Sequence, residues 1–167
     1  MSEMTTKPGP LRRPNDKTIE LPAGLFRQLL DVAPDALVIV DEEGAIVLVN
    51  SRVEALFGWG RRDLIGQPVE TLIPERSRAA HAGHRHAYAA APRARSMGAG
   101  LPLHGRRKDG SEFPVDVSLG PLEFSGHRLV IAAVRDVSER QHAEAALLEG
   151  QKRLAEAQEI AHTGSWE

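Results

Sequence analysis

The chain has 167 residues, 41% of them apolar and 26% charged, with a formal net charge of -2; that length holds one domain with a real core plus extensions, and is too short for two of ordinary size. The near-neutral balance favours neither nucleic acid nor an acidic partner, and the lack of cysteine removes disulfides, thiolate metal sites and cysteine nucleophiles together. No run approaches about 18 apolar residues and the N-terminus lacks the apolar core of a signal peptide, so membrane insertion is not expected and a cytoplasmic location is the default.

Residues 1–22 hold four prolines, mixed charge and no apolar periodicity, the pattern of a flexible leader. From Ala23 the pattern changes. Leu25, Phe26, Leu29, Leu30 and Ala33 recur at helical spacing, and Pro34 closes a short amphipathic helix because the residue before proline avoids the helical region. Two apolar runs, Ala36 to Val40 and Ala45 to Val49, flank the turn Asp41-Glu42-Glu43-Gly44 and predict a β-hairpin. Asn50-Ser51 is placed to cap a following helix whose apolar Val53, Leu56 and Phe57 stop at Gly58. Gly60, Gly66 and Pro68 then break the chain into one-turn pieces.

The alanine-rich stretch from Pro74 to Ala91 predicts the longest helix of the domain, with Pro74 at its start and Pro92 after its end. Arg93 to Gly100 reads as a loop. The stretch from Leu101 to Arg140 then carries three strand-like runs. Arg107-Lys108-Asp109-Gly110 is a tight turn, since Asp-Gly tolerates positive φ. Phe113, Val115, Val117 and Leu119 alternate with more polar residues, Ser125-Gly126 makes a second turn, and Leu129 to Val134 is a near-continuous apolar run suited to a central strand. Together they predict an antiparallel meander. Beyond it, Ala143, Leu147, Gly150, Leu154, Ala157 and Ala161 alternate at spacings of four and three, the seam of a helical, coiled-coil-like linker over residues 141–158; a homodimer is expected to form through this seam or through the first helix.

Four segments, ALVIVDEEGAIVLVN, NSRVEALFGWGRRDLIGQPVETLIPE, GRRKDGSEFPVDVSL and VIAAVRDVSERQ, resemble in order the PAS domain with its C-terminal PAC motif. The resemblance implies an α+β fold over residues 23–140, with a five-stranded antiparallel sheet of order 2-1-5-4-3 whose concave face and short helices enclose a pocket. It also implies a sensory module of bacterial signal transduction, including two-component systems, that binds a small ligand or cofactor, or dimerises. The signal would pass to an effector domain, such as a histidine kinase, a cyclic-dinucleotide enzyme or a phosphatase, outside this chain; the fold alone does not choose among them. Residues 159–167 resemble the opening of a second PAS domain.

Candidate site residues follow from both readings. Val40, Val49, Phe57, Leu72, Leu101, Val117 and Ile131 are the pocket candidates. Asp136-Val137-Ser138 stands at the family's strand-to-helix junction, where Ser138 can cap the outgoing helix and Asp136 can pair with Arg140 or with a basic residue of the sheet, so Asp136, Ser138 and Arg140 are the candidates for signal transmission. His81 and His84 share a helix face three residues apart, and the resemblance puts His81 where haem-binding PAS oxygen sensors carry their proximal ligand. Leu101 stands where those sensors place an arginine beside oxygen, a departure from the haem pattern. The plainer reading of the two histidines is a hydrogen-bonding pair near the surface. Non-covalent flavin has only Trp59 as a stacking candidate, and a flavin–cysteine adduct is excluded without cysteine. No catalytic triad, metal cage or nucleophile with a base is present in the pattern, so the isolated chain is expected to be a non-enzymatic sensor; the rival to a ligand-binding sensor is a ligand-free dimerisation module with a filled core.

Overall fold

A computed structural model describes residues 23–97 and 102–163. The leader and Leu101 therefore lie outside the described residues, as do positions 164–167 of the expected second domain. Helix α1 (Ala23–Val32) precedes a hairpin of β1 (Ala36–Val40) and β2 (Ile46–Val49), then come the short helices α2 (Ser51–Phe57) and α3 (Arg61–Leu64) and a 3-10 turn at Val69–Leu72. Helix α4 (Glu75–Ala90) leads to β3 (Arg95–Met97), β4 (Leu103–Arg106), β5 (Glu112–Phe124) and β6 (His127–Asp136), and α5 (Ser138–Thr163) leaves the sheet.

All strand pairings are antiparallel, in the order β2-β1-β6-β5-β3, with β4 also on β5. The expected fold holds, and two details change. What the family pattern treats as one third strand is here two: β3 pairs Met97 with Val117 and β4 pairs Leu103 with Val115, so both lie on the same edge of β5. The segment read as a loop from its small and charged residues thus contributes three residues of strand, because the exposed edge of β5 supplies ladder partners that no local pattern reveals. The β5–β6 ladder is the longest, running from Val115↔Asp136 to Phe124↔His127 around the Ser125-Gly126 turn, both of whose residues have positive φ. Pro114 stands just past the end of that ladder, where its carbonyl accepts the Val137 N–H at 3.1 Å.

The core lies between β1, β2 and the fragmented helices. Val38, Ile46, Val49, Val53, Phe57, Leu64 and Phe113 are each 3% exposed or less. Phe57 and Phe113 meet edge to face with centroids 5.3 Å apart, a pairing that adds about 1 kcal/mol beyond its area. Gly105 lies under that pair: a Cβ there would come within 2.9 Å of Phe113 and 3.0 Å of Phe57. β4 reaches its place because this position has no side chain.

Asn50 does not cap α2 through its side chain, contrary to the sequence expectation. It is 1% exposed, and its Nδ2 donates to the carbonyls of Leu30 (2.9 Å) and Asp35 (3.0 Å) while its Oδ1 accepts from Leu37 N (2.9 Å). The amide ties the end of α1 to the start of β1. Asp31 on α1 takes over at α2, accepting from Ser51 N at 2.8 Å, and that bond, followed by the charges of Arg61 and Arg27, holds its carboxyl below the usual range against the opposing effect of burial.

Candidate functional site

The inner face of the sheet and the facing side of α4 enclose a partly open cavity of about 1030 Å³. Strand alternation decides which residues reach it. On β6, Val130, Ala132 and Val134 line the space, and their neighbours Val38 and Val40 on β1 and Val117 and Leu119 on β5 extend the apolar floor. Phe57 and Leu72 close one side. Of the expected lining residues, Val40, Phe57, Leu72 and Val117 therefore face the cavity.

Two do not. Ile131 lies between Val130 and Ala132 and so points to the opposite face of the sheet, a parity that a near-continuous apolar run conceals. Val49 shares the face of its register partner Val38, but it is 1% exposed within the packed cluster that includes Val53 and Phe57. The roof carries His81, the candidate named from the sequence, on one face with His84, and beside them Ser77, Arg85 and Tyr88, which sequence reasoning missed; all five follow the three-and-four spacing of one helix face and line the cavity. That spacing was available in the sequence, but the polar residues on it read as a solvated surface.

His81 and Arg85 converge on Glu70, which is only 13% exposed: Glu70 Oε1 lies 2.9 Å from His81 Nδ1 and 3.3 Å from Arg85 Nε. Burial alone would raise the Glu70 carboxyl; the hydrogen bond with His81, and after it the Arg85 charge, outweigh burial and hold it below the usual glutamate range. Arg85 also donates to the Glu43 carbonyl in the β1–β2 turn. The network thus fastens α4 to the turn beside the cavity. His86 is rotated away, with Nδ1 at 2.7 Å from the Ala82 carbonyl on its own helix. Trp59, the stacking candidate for flavin, packs against the core under Lys108 and does not line the cavity.

At the sheet exit, Asp136 organises the start of α5. Its Oδ1 accepts from both Ser138 N (2.8 Å) and Ser138 Oγ (2.5 Å), and its Oδ2 lies 3.3 Å from Arg107 Nη2. Two alternatives from the sequence are thereby corrected: Ser138 donates to the carboxylate instead of serving as the acceptor cap, and Arg140 pairs with Asp116 on β5 at 3.0 Å, not with Asp136. The basic partner of Asp136 comes from the tight turn. Arg107 also stacks over Phe113 at 3.9 Å and donates to the Leu56 carbonyl at 3.0 Å, so it links the core aromatic pair, α2 and the α5 junction.

The profile of the PAS fold matches residues 24–137. The chain belongs to the PAS family. Among curated relatives of this PAS chain, the sensor protein FixL of Bradyrhizobium diazoefficiens is 33% identical over 139 residues, which cover 83% of this chain and 28% of that protein. The oxygen sensor protein DosP of Escherichia coli is 29% identical over 115 residues, 69% of this chain and 14% of that protein. The chain thus spans under a third of the length of either relative. Among solved structures, a PAS domain from Colwellia psychrerythraea superposes with a TM-score of 0.60 at 19% identity, covering 70% of this chain and 97% of that one, which supports the PAS fold alone. The chain carries a sensory PAS domain related to these sensor proteins, and no helix among the described residues is long and apolar enough to cross a membrane.

Proposed function

We propose that this PAS domain binds a small ligand or cofactor in the cavity beneath α4 and passes the change to α5, and along it to an effector domain of a longer polypeptide. The observation that carries the reading is the cavity itself. At about 1030 Å³ it stands at the upper end of small-molecule sites, roughly 300–1,000 Å³, whereas a ligand-free dimerisation module would have filled that space with side chains. The effector, a histidine kinase, a cyclic-dinucleotide enzyme or a phosphatase, is supported by the names of the relatives as sensors and by their greater length. Homodimerisation through α5 is supported by Leu147 and Leu154, which are 64% and 62% exposed on a helix of 26 residues. A cytoplasmic location fits this reading. Native mass spectrometry of the freshly purified chain is expected to show an adduct that leaves on denaturation; a bare dimer that also takes up no apolar dye would instead favour the dimerisation module.

Transmission would run through Asp136, Ser138 and Arg140. Asp136→Ala removes the acceptor that orders the first turn of α5, a loss worth about 1 kcal/mol, so amide exchange at Glu139 to Gln141 should rise roughly fivefold. Unchanged exchange there would remove Asp136 from the proposed route.

A second reading, a haem sensor, is favoured by one observation: His81 lines the cavity with Nδ1 held by Glu70, which leaves Nε2 free of that bond and orients the ring as outer carboxylates orient metal-bound histidines. The residues fit a haem in volume and in a nitrogen donor, and the name of DosP as an oxygen sensor agrees with it. Haem, when bound, supplies a redox-active iron that takes small gases; His81 would hold it and Glu70 would fix the imidazole. Adding hemin should then produce a sharp Soret band that shifts on reduction and disappears in His81→Ala, whereas a hemin spectrum identical in both proteins would discard this reading and leave the small-ligand one standing.

A further inference from the structure

Resting on the reading that the cavity binds a small molecule, we propose that its ligand carries a carboxylate on an apolar body, and that Arg95 receives the carboxylate. The arginines that reach the cavity are Arg76, Arg85, Arg95 and Arg128. Three of them already have carboxylates: Arg76 meets Glu112 at 2.6 Å, Arg85 meets Glu70 at 3.3 Å, and Arg128 meets Glu42 at 3.8 Å. Arg95 has none among the described residues. Its contact is with a ring, the guanidinium carbon lying 5.1 Å from the centroid of Tyr88.

That ring is itself fixed. Tyr88 is 7% exposed, and its hydroxyl donates to the Arg93 carbonyl at 2.9 Å. A guanidinium stacked on an aromatic face keeps its N–H donors in plane and available, and their fork matches the two oxygens of a carboxylate. His84, one turn before Tyr88 on the cavity face of α4, is a second polar group with no hydrogen bond among the described residues.

The acidic lining residues stand elsewhere. Asp41 and Glu42 follow β1, and Glu123 is four residues along β5 from Leu119, the register partner of Arg95, or about 13 Å away. Between the two ends the floor is apolar, made by Leu119, Val130 and Ala132. A monocarboxylate with a hydrocarbon body therefore matches both the donors at one end and the floor beside them. An ammonium group at Arg95 would meet like charge.

The test uses the 1–167 chain at pH 7 with the neutral dye N-phenyl-1-naphthylamine in the cavity, displaced by decanoate, decanol or decylamine. Decanoate is expected to displace the dye at a roughly tenfold lower concentration than decanol, with decylamine the weakest. Arg95→Gln should bring decanoate and decanol to parity as displacers, each compared within the same variant, and Arg95→Lys should keep part of the preference. Equal displacement by decanoate and decanol in the wild type, or an undiminished preference in Arg95→Gln, overturns the carboxylate assignment while the cavity still binds dye. Absence of dye binding in the wild type overturns the cavity reading and this inference with it.

Discussion

Asn50→Ala is expected to lower stability by about 3–4 kcal/mol, because it leaves the Leu30 and Asp35 carbonyls and the Leu37 N–H without their partner in a buried place, and each orphaned group costs roughly 1–3 kcal/mol. For a domain of this size the midpoint of thermal unfolding should fall by about 12–16 °C, read by circular dichroism. Asn50→Asp sharpens the result. It keeps the acceptor for Leu37 but sets a carboxylate oxygen against two carbonyls, so at pH 7 it should be at least as damaging as alanine. Acidification should relieve part of that loss, since the protonated acid can donate once. A midpoint within about 3 °C of wild type in Asn50→Ala would show that α1 and β1 are held by other contacts.

Ala132→Phe should abolish dye binding, or weaken it by at least roughly tenfold, while leaving the fold intact. Ala132 lies mid-floor, in register with Val38 on one side and Leu119 on the other, and both of these line the cavity. A ring introduced there enters open space, so stability should hold or rise by about 0.5–2 kcal/mol as a void is filled. Ile131→Phe is the control. It points from the other face, so it should leave dye affinity unchanged. If Ala132→Phe binds dye as well as the wild type, the ligand space lies elsewhere. If both variants lose binding together with thermal stability, the effect is on folding and the floor assignment fails.

These variants separate what the chain's local chemistry announces from what it leaves open. Pocket parity is one case. In the run Leu129 to Val134 every residue is apolar, so period-2 alternation has nothing to alternate with, and only the pairing to β1 and β5 shows that Val130, Ala132 and Val134 face α4. The roof is a second case: a helix whose inward face carries His81, His84 and Arg85 looks solvated until a cavity is found beneath it.

By itself, the sequence determined the order of helices and strands, the turns at Asp109-Gly110 and Ser125-Gly126, the break of the middle into short helices, and through its motifs the PAS family. These are local properties, set by backbone freedom at glycine and proline and by the period of apolar residues within one element. Tertiary structure alone decided that the third strand is split in two, that Asn50 is a buried strut and not a cap, and that Arg107 from a turn answers Asp136 at the root of α5. In each of these the partner is distant in the chain: 20 residues separate Asn50 from Leu30, and 29 separate Arg107 from Asp136. A side chain that can donate or pair in several ways is committed by whichever group the fold brings within about 3 Å, and no local pattern carries that information.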